Sequence, residues 1–475
     1  MTHSSAADTK SVRMDANQAQ HRVTLPVRSR LALTITFFSM FFGAGNLIFP
    51  PFLGALAGTN TPLATFGFIC SAVGLPILGV LAVTQADGFE RLAGSIGPRF
   101  AAVLAMAIML TIGPFFAIPR TATTSFEMAI APHMHSSSHA PLLVYSLIFF
   151  ALAWGFAQFP GKLSNTLGKI TGPVLLVLIA ILTIGALFSI HLPFAPATGA
   201  YQGSTLQAFT QGFIDGYQTM DLLAALYFGI IIGVNIRAMG VTDTRQVRSY
   251  TAHAGLGTGI MLTLVYAALA VLGALSGALV PLDSATDTGA TALTHITHAV
   301  FGQPGTILVG LIFIIACLNV CTGLISTCST FMTTKIPHIG SLPMSYRAWS
   351  IVFALFSLLV SNAGLSMIIK VSIPVLIALY PIAIVLVIVG LASTWIRAHM
   401  PYLPICMIIP TTLVALADCC VRLLELVGVQ LPQVSYLLHL LPGFDIQLGW
   451  IVPALIGAAI AAALYVFQRI RSHQH

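Results

Sequence analysis

Charge is the feature that this sequence has least of. Only 7% of its 475 residues are Asp, Glu, Lys or Arg, whereas 57% are hydrophobic. An average soluble domain contains about 25% charged residues. A soluble globular domain is therefore excluded, and because α-helices satisfy their own backbone hydrogen bonds in lipid, we predict an all-α protein that crosses a membrane many times.

The sequence also lacks the short motifs of common catalytic and nucleotide-binding sites. It contains no H-E-x-x-H, no G-x-S-x-G and no G-x-x-x-x-G-K-[ST] segment, which argues against a membrane enzyme and against an ATP-driven pump. We expect no cofactor, no nucleic-acid partner and no obligate protein partner. The seven cysteines all lie in hydrophobic runs or, for Cys328, directly after one, so we expect reduced thiols rather than a disulfide framework.

Long hydrophobic runs, by contrast, fill the chain. A membrane-spanning helix needs about 20 predominantly apolar residues, and we count twelve such runs. They lie at 33–53, 62–83, 101–122, 140–159, 168–190, 212–234, 254–277, 303–327, 346–361, 365–391, 403–425 and 448–468. The sequence therefore predicts twelve transmembrane helices.

Basic residues are distributed unevenly between these runs. Of the twenty Lys and Arg, seventeen fall in the N-terminal tail, in every second loop and in the C-terminal tail. The exceptions are Arg120, Lys370 and Arg422. Because cytoplasmic segments carry the excess of Lys and Arg, both termini are expected in the cytoplasm, which agrees with an even number of spans.

The first run is a poor uninterrupted helix. Its centre, 39–51, reads SMFFGAGNLIFPP; glycine lowers helix propensity by about 1 kcal/mol relative to alanine, and each proline removes a backbone donor. Irregular backbone at membrane depth is tolerated where it is buried in protein or lines a cavity. We interpret the segment as a broken helix at a binding site. The alternative is a glycine-rich helix that packs closely against a neighbour.

The sixth run is the second irregular one. Its start, 215–229, reads DGYQTMDLLAALYFG and carries two carboxylates before an apolar stretch. A carboxylate at membrane depth costs about 3 kcal/mol on insertion scales and usually faces the protein interior. Asp221 is therefore a candidate to cap a second half-helix, to couple an ion or proton, or to hold a pocket network. Asp215, nearer the run's edge, is interpreted as interfacial.

Other segments carry weaker signals. Thr322 and Ser326 share one face of the eighth run, where hydroxyls either bind a small cation or bond to their own helix. In the third run, two prolines around Phe115 and Phe116 predict a kink. Three histidines of the outer loop, His133, His135 and His139, are considered as a metal site and judged an improbable one because no carboxylate pattern accompanies them.

The two irregular runs occupy matching positions. Each is the first of five runs, and because five is odd the second set begins on the opposite side of the membrane. Interrupted helices in corresponding places are typical of inverted-repeat transporters, so we predict the leucine-transporter architecture of five plus five helices, with two additional helices. The expected units are a disordered cytoplasmic tail (1–30), a first repeat (31–190), a second repeat (191–393), and spans eleven and twelve with a short cytoplasmic tail (394–475).

Three segments resemble motifs of a known family. They are 42–51 (FGAGNLIFPP), 112–121 (IGPFFAIPRT) and 216–221 (GYQTMD). They are similar to motifs of the bacterial branched-chain amino acid carriers, the leucine/isoleucine/valine:cation symporter (LIVCS) family of the amino acid–polyamine–organocation superfamily. The resemblance extends over nearly all of the chain after residue 30. The family usually has Asn where this chain has Gln218, so the role of that side chain is open.

The resemblance implies a secondary active symporter in the bacterial inner membrane that imports leucine, isoleucine and valine with Na⁺ or H⁺ as the coupling ion. In the mechanism that we expect, freed N–H groups around Gly43 bind the substrate carboxylate, and carbonyls of 216–219 bind its ammonium group. The expected substrate site consists of Phe42, Gly43, Ala44, Gly45, Asn46, Phe115, Phe116, Gly216, Tyr217, Gln218, Thr219, Asp221 and Phe228. The expected Na⁺ site, by resemblance to sodium-coupled members of the fold, consists of Ser39, Phe42, Thr322 and Ser326.

Two alternatives stay open at this point. One is a carrier of the same fold for another small substrate, such as another amino acid, a nucleobase or a polyamine. The other, less favoured, is a channel, which needs no interrupted helices in matching positions.

Overall fold

The computed structural model describes residues 24–134, 140–159, 163–284 and 286–472. The described part of the chain is helical apart from one short hairpin, whose strands β1 (His338–Ile339) and β2 (Leu342–Pro343) pair antiparallel. The helices of the first half are α1 Val27–Phe41, α2 Ala44–Ala57, α3 Thr61–Ile69, α4 Leu75–Ala86, α5 Phe89–Gly94, α6 Pro98–Leu110, α7 Ala117–Ala129, α8 Ala140–Ala157 and α9 Leu163–Ser189. Those of the second half are α10 Thr205–Asp215, α11 Asp221–Ala238, α12 Thr244–Leu279, α13 Gly289–Lys335, α14 Tyr346–Ser361, α15 Leu365–Leu391, α16 Ser393–His399, α17 Leu403–Leu426, α18 Pro432–His439 and α19 Ile451–Ser472.

Each of the twelve predicted hydrophobic runs falls on a helix. Within the described residues, eight helical stretches are long and apolar enough to cross a bilayer, or nine if the bent pair within Asp221–Ala238 is counted as one. The stretch Ala44–Ala86 alone contains half of the first run and all of the second. The number is below twelve because some spans are interrupted and because others, such as the 16-residue α14, are shorter than a continuous membrane-crossing helix.

Glycine and proline bend the third and eighth spans. Between α6 and α7 the chain forms a single turn of π-helix, Thr111–Phe115, which we call the π-turn. Within it, the backbone of Gly113 is not helical (φ −102°, ψ −123°). The kink predicted from the prolines of the third run is therefore present. In α13 the break is at Gly302 (φ +64°), so residues 289–301, which lie between the seventh and eighth predicted runs, form a helical segment before span eight.

One predicted boundary agrees with the structure and another does not. The sequence predicts that the ninth and tenth runs separate at 361–364, and α14 ends at Ser361 while α15 begins at Leu365. Helix α1, by contrast, begins at Val27, inside the stretch 1–30 that was expected to be disordered. Residues 1–23 of that stretch lie outside the described part.

Close backbone packing fixes the second half of the first span. Helix α2 packs along α12, and an ideal Cβ at Gly54 would lie 1.9 Å from the carbonyl oxygen of Ala270. At Gly273 a Cβ would lie 1.9 Å from the carbonyl oxygen of Pro51. No side chain fits at either position, so the small residues hold α2 in a defined place beside the break that precedes it.

Candidate functional site

The first span is interrupted at Phe42 and Gly43. Phe42 (φ −78°, ψ 97°) ends α1 in an extended conformation, and Gly43 (φ −124°, ψ −173°) precedes α2. Gly43 donates its backbone N–H to Oδ1 of Asn46 at 3.0 Å. Ala44 and Gly45 occupy the first two positions of α2, where backbone N–H groups have no intrahelical acceptor. The predicted break is present, and the start of its second half-helix is capped by a side chain of that half-helix.

The sixth span is interrupted in a different way. Residues Gly216–Thr219 form a 3₁₀ turn, and Met220 adopts the left-handed conformation (φ 62°, ψ 12°) before α11 begins at Asp221. The hydroxyl of Thr219 donates to the carbonyl of Gly216 at 2.9 Å, and Tyr217 accepts from the N–H of Met220 at 3.0 Å. Several main-chain groups freed by this break therefore already have partners.

Asn46 joins the two breaks. While its Oδ1 caps Gly43, its Nδ2 donates to Oδ2 of Asp221 at 2.6 Å and also to the hydroxyl of Tyr266 on α12. Tyr266 in turn donates to the same Asp221 oxygen at 3.3 Å. Of the three roles considered for Asp221, this geometry matches the pocket network: its carboxylate ties the start of α11 to α2 and α12.

Arg120 of α7 is the second charged group at this junction. Its Nη1 donates to the backbone carbonyl of Gln218 at 2.8 Å, and its guanidinium carbon lies 5.1 Å from the centre of the Phe49 ring. An ideal Cβ at Gly45 would lie only 2.7 Å from Nη2 of Arg120. Glycine at this position therefore lets the guanidinium lie against the start of α2.

A cavity of about 70 Å³ lies where these elements meet. Asn46, Arg120 and Asp221 provide its charged and polar wall, and each is at most 3% exposed. The apolar wall is formed by Met40, Phe41, Phe42, Ile112, Val320 and Leu324. A cavity needs about 10–15 Å³ to hold one water, so this space can hold several waters. A larger ligand requires the surrounding side chains to move outward.

The sequence matches a known family over nearly its whole length. The profile of the family described as "Branched-chain amino acid transport protein" matches residues 27–468. The chain belongs to this family. It is therefore a membrane transporter and not an enzyme.

Relatives of this transporter are known from several bacteria. The "Branched-chain amino acid transport system 2 carrier protein" of Pseudomonas aeruginosa is 39% identical over 433 residues, which are 91% of this chain and 94% of the relative. The "Branched-chain amino acid permease BrnQ" of Escherichia coli K12 is 40% identical over 78% of this chain and 83% of its own length. BraB of Bacillus subtilis is 34% identical over 94% and 97%.

Solved structures with the same fold belong to distant transporters. Mhp1, a nucleobase-cation-symport-1 family transporter, matches with a TM-score of 0.57 at 14% identity, over 91% of each chain. The Eremococcus coleocola manganese transporter matches with a TM-score of 0.56 at 14% identity, over 93% of this chain and 98% of that one. These likenesses establish the leucine-transporter fold of the family member described here, and at such low identity they say nothing of its substrate.

The structure places some of the candidate substrate residues at the cavity and others away from it. Phe42, Gly43, Ala44, Gly45, Asn46, Thr219 and Asp221 line the cavity. Gly216 and Gln218 belong to the adjacent 3₁₀ turn, and the Gln218 side chain accepts from the Ser372 hydroxyl of α15 at 3.2 Å. The side chain of Phe228 lies outside the described residues.

The aromatic residues expected to form the apolar pocket are mostly elsewhere. Phe115 and Phe116 line a separate apolar cavity of about 290 Å³ together with Phe356, because the π-turn directs both rings toward α14 and α15. Tyr217 stacks on Tyr380 at a centroid distance of 4.0 Å. Among the expected aromatic residues whose side chains are described, Phe42 alone lines the central cavity, where Phe41 of the same span lies beside it.

The hydroxyl groups expected to bind Na⁺ lie on the helix that faces the first break. Val320 and Leu324 of α13 line the cavity, and Thr322, on the same helix, donates its hydroxyl to the carbonyl of Leu318 at 2.8 Å. That hydroxyl oxygen can still accept, which a cation ligand must do. In the outer loop, Nδ1 of His133 contacts the Gln303 side chain at 2.9 Å, while His135 and His139 lie outside the described residues.

Arg120 and Tyr266 are the residues of the site that sequence reasoning did not assign. Arg120 stood out as a basic residue off the expected side of the membrane, and an ionisable residue inside a span is by itself a functional-site signal. Tyr266 gave no such signal, because a single tyrosine in an apolar helix is usually part of the core. Only the packing of α12 against α2 reveals that its hydroxyl meets Asn46 and Asp221.

Proposed function

We propose that the protein is a secondary active symporter that imports leucine, isoleucine and valine together with Na⁺ or H⁺ by alternating access. The observation that carries this proposal is the cavity at two interrupted helices, which is lined both by charged and polar groups and by apolar side chains. A zwitterion with an aliphatic side chain has the same combination of groups. The names of the relatives, which are carriers and permeases of branched-chain amino acids, support the substrate class.

The apolar wall supports a shared site for the three substrates. A hydrophobic pocket distinguishes one methylene by only about 1–3 kcal/mol, so leucine, isoleucine and valine should compete for it. Alanine, which leaves most of the apolar wall unfilled, should bind much more weakly.

Coupling requires an ion site close to the substrate, and each ligand must bind better when the other is present. For Na⁺ we propose the carbonyls of Ser39 and Phe42, at the end of α1, with the hydroxyls of Thr322 and Ser326 on α13. Phe42 donates its N–H to Phe38 at 2.9 Å but stands at the end of α1, where carbonyls lack a following turn of helix. For H⁺ coupling, the buried carboxylate of Asp221 is the candidate proton acceptor.

Alternating access requires that contacts at the inner side can separate. We propose that this side, where Lys and Arg are concentrated, is the cytoplasm of a bacterial cell with the protein in the inner membrane and both termini inside. There, Asp87 lies 3.8 Å from Arg237, and Lys335 contacts Glu90. These pairs are solvent-exposed and each contributes about 0–1 kcal/mol, so they hold the segment from Asp87 to Glu90 against α11 and α13 without preventing opening.

Leucine uptake into proteoliposomes, with sodium and pH gradients imposed separately, tests this proposal. We expect saturable, stereoselective uptake that is driven by one of the two gradients and is inhibited by isoleucine and valine. The matched control is liposomes without protein under the same gradients. Uptake that neither gradient accelerates would exclude the symporter, and flux without saturation would indicate the channel alternative instead.

A further inference from the structure

The main-chain groups expected to bind a zwitterion are largely occupied by the protein itself. The N–H of Gly43 is donated to Asn46, and the carbonyl of Gln218 accepts from Arg120. The carbonyls of Gly216 and Tyr217 accept from Thr219 and Met220. Each of these carbonyls can accept one further bond, but the N–H of Gly43 cannot bind a substrate carboxylate while it is donated to Asn46.

Arg120, which lines the cavity, has one buried donor without a partner. The residue is 3% exposed and lines the cavity, yet its Nε has no hydrogen-bond partner. An unpaired buried donor on a charged group is costly, because desolvation is not offset by a bond. Its guanidinium also lies against the first turn of α2, where two N–H groups point the same way and favour an anion. The guanidinium and these N–H groups together suit a carboxylate.

Asp221 brings the opposite charge to the same cavity. Asn46 and Tyr266 fix one oxygen of its carboxylate, and the residue lines the cavity. Among the ion pairs within 4 Å in the described part of the chain, none joins Asp221 to Arg120. Two opposite charges are therefore buried close to one cavity but are not in contact with each other.

A second intramembrane pair of opposite charges, Arg422 and Asp418, is in direct contact, unlike Arg120 and Asp221. In α17, Arg422 donates through Nε to Asp418 at 2.7 Å, one helical turn away. That pair neutralises itself, and it lies away from the cavity. Burying two charges that do not touch is more costly than burying a hydrogen-bonded pair. A ligand with a negative group beside Arg120 and a positive group beside Asp221 would offset this cost.

We propose that Arg120 and Asp221 bind the two charges of the amino-acid substrate directly, the guanidinium holding the carboxylate and the Asp221 carboxylate holding the ammonium group. This inference rests on the proposed function, since it names the partners of the same substrate. Carboxylate and ammonium are attached to one carbon atom, so a single small zwitterion bridges the gap that the two side chains leave. The aliphatic side chain then faces Phe42, Val320 and Leu324.

Equilibrium binding to the purified full-length protein tests the assignment with three probes. These are leucine, isoamylamine, which is leucine without its carboxylate, and isocaproate, which is leucine without its amino group. A site built to hydrogen-bond both groups should prefer leucine over either analogue by at least ~100-fold. In Arg120→Gln the preference over isoamylamine should fall to within about threefold while the preference over isocaproate remains. In Asp221→Asn the preference over isocaproate should fall to within about threefold, while the preference over isoamylamine remains.

The matched control is Arg422→Gln, which removes an intramembrane arginine away from the cavity and should leave both preferences unchanged. If Arg120→Gln weakens leucine and isoamylamine by the same factor, Arg120 is structural and the assignment is wrong. If the wild-type protein does not bind leucine, the proposed function fails, independently of the assignment. Should Arg120→Gln not yield folded protein, Gly45→Ala provides a second variant, because its methyl group displaces the guanidinium; the same loss of preference over isoamylamine is expected, and an unchanged preference would overturn the assignment.

Discussion

The two interrupted spans differ in the residues that hydrogen-bond the backbone groups at each break. At the first break the chain is extended over Phe42 and Gly43, and a side chain from α2 closes it. At the second break a 3₁₀ turn and the left-handed Met220 redirect the chain, and Thr219 supplies the closing bond from within the turn. A non-glycine residue in the left-handed region carries strain of about 1–3 kcal/mol, which the buried surroundings of Met220 must offset.

The two breaks also differ in which parts of the fold their closing side chains connect. Asn46 closes the first break and also contacts Asp221 and Tyr266, so it connects both breaks with α12. The bonds of Thr219 stay within the second break. Changes at Asn46 should therefore affect substrate binding and the second break together, whereas changes at Thr219 should remain local.

The largest effect is expected for Asn46→Ala. The substitution removes the cap of α2 and leaves the buried Asp221 carboxylate without one donor, and a hydrogen bond to a charged group contributes about 1.5–3 kcal/mol. We expect leucine uptake into proteoliposomes to fall at least ~100-fold and the melting temperature in detergent to decrease. Asn46→Asp, which keeps the cap oxygen but places a second carboxylate beside Asp221, should fail as well. Near-normal uptake by Asn46→Ala would show that the breaks are independent.

Gly45→Ala should have the next largest effect. Its Cβ would lie 2.7 Å from Nη2 of Arg120, and because alanine favours the helix, any loss cannot be attributed to helix propensity. We expect leucine affinity to decrease by about 10- to 100-fold with little change in melting temperature. The measurement is radiolabelled leucine binding, compared with Gly94→Ala, where no atom lies within 4 Å of the new Cβ. Equal affinities in the two variants would contradict the close approach of Arg120.

Thr219→Val tests whether the second break is self-contained. The substitution preserves the shape of the side chain but removes the donor to Gly216 at 2.9 Å and the acceptor for the Asp221 N–H at 3.5 Å. Because a neutral hydrogen bond contributes about 1 kcal/mol, we expect a decrease of a few degrees in melting temperature and a few-fold loss of uptake. A loss as large as that of Asn46→Ala would remove the proposed difference between the breaks. Thr219→Ser, which retains the hydroxyl, serves as the control.

Gly43→Ala should have the smallest effect of the four. The backbone of Gly43 is extended, a conformation open to any residue, and a Cβ there would meet Asn46 and Val320 at 3.6 and 3.7 Å, which is ordinary contact. We expect an unchanged melting temperature and a loss of leucine affinity below about tenfold, caused only by the methyl group that narrows the cavity. Loss of folded protein in this variant would show that the first break needs glycine for its backbone.

The breaks themselves were predictable from local sequence. Glycines 43 and 45 and the run of polar residues before Leu222 contradict an uninterrupted apolar helix, and the kink of the third span follows from Pro114 in the same way. These signals are local, since helix propensity and missing backbone donors depend on the residues concerned. Their positions in the chain also indicated the inverted repeat that the leucine-transporter fold contains.

The occupants of the pocket were less predictable. Phe115 and Phe116 were expected in it because of their position beside a kink, and the structure directs them to a separate cavity with Phe356. Which side of a kinked helix faces the centre depends on how α7 packs against α13 and α14, and no local pattern records that rotation. The same packing turns Arg120, four residues after Phe116, toward the Gln218 carbonyl.

The sequence alone determined the composition, the length of the apolar runs and the interruption of two of them. The physical reason is that backbone groups in lipid must be hydrogen-bonded within the protein, so an interrupted helix is tolerated only where it is buried or lines a cavity. The tertiary structure decided which side chains close the breaks and that Arg120 and Asp221 face one cavity without touching. Those contacts join residues far apart in the chain, up to 220 positions for Asn46 and Tyr266, and only the packing of the helices brings such residues within hydrogen-bonding distance.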